Sequence, residues 1–123
     1  MKLGIFNQTR NTWLCESLEQ ARGIAEQGRG LLGRDRLEPR TGMLFENESF
    51  LPMMWMHMFF MRFAIDIVFL DRDNRVLRIN HSLKPWRLSS MVWRARRALE
   101  LEAGAAIRSG TSIGDSLELR ESR

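Results

Sequence analysis

The sequence predicts an α+β domain in which antiparallel strands dominate. Three observations carry this: apolar residues alternate with polar ones over most of the chain, turn-forming residues punctuate those runs, and only two stretches show helical spacing. No internal repeat, low-complexity tract or Ser/Gly/Pro linker interrupts the 123 residues, so 1–123 reads as one domain.

Taken in order, Leu3 and Ile5, then Trp13 and Cys15, are spaced as two short strands about a turn at Asn7 to Asn11. Ser17 followed by Gln20 resembles a capping box. Behind it Leu18, Ala21, Ala25, Gly28 and Leu32 keep i+3/i+4 spacing, which predicts an amphipathic helix ending near Gly33. Gly23, Gly28 and Gly30 each cost such a helix about 1 kcal/mol relative to Ala, so packing of Leu31 and Leu32 must hold it. Pro39 to Gly42 reads as a turn, and from Met43 to Leu83 the pattern is mostly strand. Within it, residues 64–70 are apolar on both faces, as in a strand covered from both sides. Asp71 to Asn74 is a hairpin turn and Arg75 to Asn80 the returning strand. Leu99 and Leu101 alternate with Glu100 and Glu102, and Leu117 and Leu119 with Glu118 and Arg120, which predicts two half-buried strands. Between them Ala103 to Ser109 fits a short C-terminal helix closed by Gly110, and Ile113 to Ser116 a tight turn.

Composition excludes several classes. A chain of this length buries roughly two-thirds of its unfolded surface and needs neither disulfides nor a structural metal to build a core. A single Cys rules out an intrachain disulfide, and the first residues lack the apolar stretch of a signal peptide, so a soluble cytoplasmic protein is expected. The longest apolar run, Phe50 to Met61, contains Pro52 and His57 and stops at Arg62, short of the ~20 residues that span a bilayer. The net charge of +4 is concentrated: residues 61–97 hold nine basic against three acidic groups. Trp86 and Trp93 sit among Lys84, Arg87, Arg94, Arg96 and Arg97. No RNP-type, GxxG or zinc-finger pattern accompanies them, so no specific nucleic-acid binding is expected.

Several segments together resemble the DUF192 family (UPF0127), small bacterial and archaeal proteins without an established biochemical role. They are residues 29–34, Gly42-Met43-Leu44-Phe45, residues 57–71 with Ile65-Asp66-Ile67 at their centre, Lys84-Pro85-Trp86, residues 98–104, and Gly114-Asp115, in the family's order. The resemblance implies a compact, β-rich, barrel-like sheet with the amphipathic helix packed on it. Many relatives read His-Thr before the aromatic and Pro before Ile-Asp, where this chain has Met58 and Ala64. Many also begin with a secretion signal or lipoprotein leader.

Asp66 is the most informative single residue, because an acid inside Ile65 to Phe69 lies among buried side chains and must be paired, hydrogen-bonded or protonated. It is either a ligand-orienting or acid/base group with His57 and Arg62, or a structural acid that ties down backbone N–H groups. Trp55, Trp86 and Phe59 or Phe60 suit the rim of a cleft with Arg62 and Lys84 or Arg87 at its lip, fit for a small anionic, carbohydrate-like or peptide ligand. Packing explains the same aromatics equally well. The methionines around His57 offer thioethers beside an imidazole, a set suited to Cu(I), although methionine also simply fills irregular cores. Zinc is not supported: His57, His81 and Cys15 lack ligand spacing. Walker loops, dinucleotide fingerprints and nucleophile elbows are absent from the sequence, and Cys15 has no recognisable catalytic partner.

The reading that follows is a noncatalytic module binding an unidentified small molecule or protein, without cofactor or metal, through His57, Arg62, Asp66, Trp86, Trp55 and Arg87. The alternatives are an enzyme in which Asp66 and His57 share acid/base work on an anionic substrate, and a Met/His Cu(I)-binding protein.

Overall fold

Alternation at the amino terminus and a turn at Asn11, whose φ is 61°, fold the chain back on itself as expected. In the computed structural model, which describes residues 2–20 and 35–122, β1 (Leu3–Asn7) and β2 (Thr12–Cys15) form an antiparallel hairpin with a bulge at Ile5/Phe6. A Cβ at Gly4 would collide with the Cys15 carbonyl oxygen, so only glycine allows this approach. β10 (Leu117–Glu121) flanks β1, completing a three-stranded sheet in the order β10-β1-β2.

Ser17–Gln20 is a strand, β3, and not the first turn of a helix; it runs parallel to β4 (Thr41–Glu46). Local capping chemistry loses here to a non-local ladder that pairs Ser17 with Thr41 and Gln20 with Leu44. The remainder of the expected amphipathic helix, residues 21–33, lies outside the described residues. β4 pairs with β9 (Arg97–Glu102), β9 with β6 (Ile65–Leu70) and β6 with β7 (Val76–Leu83), all antiparallel, giving a five-stranded sheet ordered β3-β4-β9-β6-β7. The β6–β7 hairpin turns at Asn74, with φ 62°, and Asp71 Oδ1 accepts the N–H groups of Asp73 and Arg75. The short helix α1 (Ala105–Arg108) ends at Gly110, whose φ is 70°.

Residues 47–64 are mostly irregular where a mostly strand pattern is expected. The regular part is β5 (Met53–Met54), paired antiparallel with β8 (Val92–Trp93), and the single bridge His57 to Leu88 continues the same ribbon. Among the described residues the strands are distributed over three sheets that do not close into a barrel, and the barrel-like form the resemblance implies is not seen.

Two cores follow from strand alternation. On one face of the large sheet Met43, Phe45, Ile65, Ile67, Phe69 and Ala98 pack under the ribbon's Met54, Met58 and Val92. On the other face Leu44, Val68, Leu70, Leu99 and Leu101 meet Ile5, Leu14, Leu117 and Ala105 from the small sheet and helix. The central strands β6 and β9 are therefore covered on both sides, and β9 is not the half-buried strand its Leu/Glu alternation suggests: Glu100 is only 5% exposed. A hydrogen-bonded polar group ties the two chain ends together. Buried Asn7 donates to Thr111 Oγ1 at 3.1 Å and to Asp115 Oδ2 at 3.0 Å, while the Arg10 guanidinium donates to the same Asp115 oxygen at 3.0 Å.

Candidate functional site

The ribbon formed by residues 53–61 and 86–93 is knitted by non-local backbone bonds. Met58 N–H donates to Arg87 O, Trp86 N–H to Met58 O, and Ser89 N–H to Met56 O, with Ser89 Oγ accepting the Met56 N–H at 2.8 Å. A polar clip fastens the ribbon to the large sheet: Ser90 N–H donates to Asn80 Oδ1 at 2.8 Å and Asn80 Nδ2 to Ser90 Oγ at 3.1 Å. Alternation sends Met54, Met56 and Met58 inward and Trp55, His57 and Phe59 outward. The imidazole and these thioethers thus occupy opposite faces of the ribbon, and the methionines serve as core.

On the outward face the rings touch. His57 stacks on Phe59 at 4.9 Å between centroids and 22° between planes, Phe59 lies 6.1 Å from Trp86, and Phe60 lies 4.7 Å from Trp86. His57 Nδ1 accepts the Phe59 N–H at 3.2 Å, which fixes the tautomer with the proton on Nε2 when the ring is neutral. Phe60 and Trp86 both have left-handed backbone, with φ of 65° and 66°, a conformation that costs a bulky residue on the order of 1–3 kcal/mol. Yet they are 68% and 58% exposed. Strained backbone that displays two rings to solvent contributes nothing to the core, and it is the strongest local sign of a contact surface.

Of the residues singled out from sequence, the structure brings Trp55, His57 and Trp86 onto this ribbon with Arg87 in its backbone ladder, and sets Arg62 one turn beyond Phe60. Arg62 is exposed and pairs with Asp35 at 2.9 Å. Asp66 stands apart. It is fully buried; Oδ1 accepts the Ser82 N–H at 2.8 Å and Oδ2 the Ala106 N–H at 2.9 Å. It thereby satisfies the β7 bulge, where Ser82 has φ 46°, and the first turn of α1. Its neighbours Ile65 and Ile67 face the ribbon's core, so Asp66 faces the opposite core, across the sheet from His57.

Glu100 is the residue that sequence reasoning missed. It points to the ribbon side of the sheet in one row with Met43 and Ile67, has no hydrogen-bond or ion-pair partner among the described residues, and burial pushes its carboxyl up to about 8. Only the burial of β9 on both faces, a tertiary property, reveals it. Cys15 is buried and its thiol is pushed up to about 11, which leaves it protonated and inert at neutral pH. Among the described residues no group of three or more His, Cys, Asp or Glu side chains is placed to hold a metal ion. An apolar pocket between the two sheets, lined by residues such as Ile5, Leu70 and Leu117, has room for roughly one water. No helix among the described residues is long and apolar enough to cross a membrane.

Residues 5–119 match the family model of DUF192, described as "Uncharacterized ACR". The chain belongs to the DUF192 family. No curated protein matches it. Among solved structures, a protein of unknown function from Novosphingobium aromaticivorans DSM 12444 is similar at 27% identity, with a TM-score of 0.79 over 94% of this chain and 82% of that one. A proposed transcription regulator from Sinorhizobium meliloti 1021 is similar at 24% identity, with a TM-score of 0.80 over 95% and 91%. The second likeness shows a shared fold alone, and neither neighbour's description names a ligand.

Proposed function

We propose that this DUF192 chain is one domain over residues 1–123 and acts as a noncatalytic binding module. Its contact face is the outward side of the ribbon, with Trp55, His57 and Trp86 as the apolar platform and Arg62 and Arg87 as cationic flanks for a small-molecule or protein partner. The observation that carries this reading is the pair Phe60 and Trp86, held in strained backbone and exposed. Asp66 is left out of the face and acts as a structural acid, because both of its oxygens already bind backbone N–H groups. The acid/base alternative loses its basis in the same geometry, since His57 and Asp66 lie on opposite sides of the large sheet.

A thermal-shift screen of anionic sugars, nucleotides, peptides and Cu(I) tests the reading, run on the wild type and on Trp86→Ala. The expected result is at least one stabilising compound whose effect disappears in Trp86→Ala while the two unliganded midpoints stay close. A stabilising compound indifferent to Trp86→Ala and Arg87→Ala would place the site elsewhere.

A further inference from the structure

Of the thirteen large apolar side chains exposed among the described residues, nine come from two segments, residues 50–60 and 86–93. A surface this apolar on a monomer marks a contact site. Phe50 is 93% exposed and Trp93 65%. The Phe50/Trp93 end of this patch is pinned: Asn47 Nδ2 donates to the carbonyls of Leu51 and Ala95, and Arg94 N–H donates to Pro52 O. The charge pattern is equally one-sided. Residues 49–65 and 74–99 contain no acid at all, and they hold eight of the chain's nineteen basic residues. Lys84, Arg87, Arg94 and Arg96 are exposed and make no ion pair within 4.0 Å among the described residues.

We propose that this aromatic and cationic face docks the protein onto an anionic lipid surface, the rings and aliphatic side chains entering the headgroup region and the basic side chains meeting lipid phosphates. The proposal rests on the ribbon being the binding face and names its partner. Trp and Phe beside Arg and Lys is the composition that interfacial binding requires, and each basic residue at an anionic bilayer strengthens partition by about fivefold. A second copy of the chain fits poorly, because any symmetric contact would bring the four unpaired cations against their own kind. Single-stranded nucleic acid fits less well too. The His57 and Phe59 rings already stack on each other at 4.9 Å, leaving no slot for a base between them. Leu51, Leu88 and Met91 have no ring on which a base can stack, although they suit a bilayer.

Co-sedimentation with vesicles of equimolar phosphatidylglycerol and phosphatidylcholine, against vesicles of phosphatidylcholine alone, tests the proposal. Expected are pelleting with the anionic vesicles only, release by high salt, and a blue shift of the tryptophan emission on binding. The double substitution Lys84→Gln/Arg87→Gln lowers partition by roughly 25-fold, and Phe50→Ser/Trp93→Ala weakens it further, whereas Trp13→Phe leaves it unchanged. All these side chains except Trp13 are exposed, so the variants fold. The proposal is overturned if the wild type stays in the supernatant at low salt. In that event a soluble compound whose binding still depends on Trp86 leaves the binding face standing, and its absence removes both. Pelleting that survives all the face substitutions, or that is insensitive to salt, overturns the lipid assignment, and the dependence of a soluble compound on Trp86 again decides whether the face stands. Binding of a random single-stranded oligonucleotide, or self-association, with the same variant dependence and no vesicle binding assigns the face to that other occupant.

Discussion

Glu100→Gln isolates the one uncompensated acid in the sheet. Glu100 lies between Met43 and Ile67, and burial alone raises its carboxyl from an ordinary 4.5 to about 8. A carboxyl whose folded pKa exceeds its unfolded one binds a proton in the native state that the unfolded chain has already released. Stability from this group is therefore full below about pH 4.5 and falls as pH rises towards 8, at 1.36 kcal/mol per unit. The loss amounts to roughly 3 kcal/mol at pH 7 and approaches 5 kcal/mol across the whole window. That is a large share of the ~5–15 kcal/mol available to a domain. Gln has nearly the same shape and does not titrate. Urea unfolding at pH 5 and pH 8 should show a wild type that loses about 4 kcal/mol between the two, and a Glu100→Gln protein that loses at most ~1 kcal/mol and is the more stable of the pair at pH 8. A Glu100→Gln protein with the wild-type pH slope, or a native Glu100 carboxyl titrating near 4.5 by carbon NMR, refutes the reasoning.

Four further outcomes follow from the same geometry. Asp66→Ala leaves the Ser82 and Ala106 N–H groups without an acceptor and costs about 3 kcal/mol in urea unfolding; a cost under ~1 kcal/mol contradicts the strut role. At Asp115 burial pushes the carboxyl up, but hydrogen bonds from Arg10, Asn7 and the Ser112 N–H outweigh it and hold the pKa below 3.8. Its contribution is present above that value and lost as pH falls through the lowered pKa, so Asp115→Asn flattens the acid limb of stability below about pH 4. Cys15, with its thiol near 11, resists a thiol-specific reagent at pH 8 until the protein is unfolded, and rapid labelling of native protein excludes its burial. Phe60→Gly relieves left-handed strain of about 1 kcal/mol while forfeiting a Trp86 ring contact of similar size, so unfolding free energy stays within ~0.5 kcal/mol of wild type as binding is lost.

Local signals were legible where the partner of a strand was its own neighbour in sequence. The β1–β2 and β6–β7 hairpins follow from period-two alternation bounded by Asn-rich turns, and α1 from the Ala-rich stretch closed by Gly110. Ser17–Gln20 misleads because its Ser-x-x-Gln spacing is a local capping signal, and the ladder supplied by Thr41–Glu46, twenty-odd residues away, outweighs it. Glu100 misleads because Leu/Glu alternation describes an edge of a sheet, and nothing local tells the chain that β4 and β6 will flank it. Of the proposed contact face, His57, Arg62, Trp55, Trp86 and Arg87 are singled out by the sequence itself. Their common face was not visible, since it is created by bonds such as Met58 to Arg87 between irregular segments. Asp66 was found for the right physical reason, its burial, and the structure gives that carboxylate to Ser82 and Ala106.

The four tryptophans provide the most direct test of the proposed binding face. Trp55, Trp86 and Trp93 lie in the two patch segments, whereas Trp13 packs edge-on against Phe6 in the small sheet, 5.1 Å between centroids. Indole N–H signals from nitrogen-15-labelled protein, recorded as short-chain phosphatidylglycerol is added, should move for the first three and stay fixed for Trp13. Movement of Trp13 alone, or of none of the four, contradicts the account.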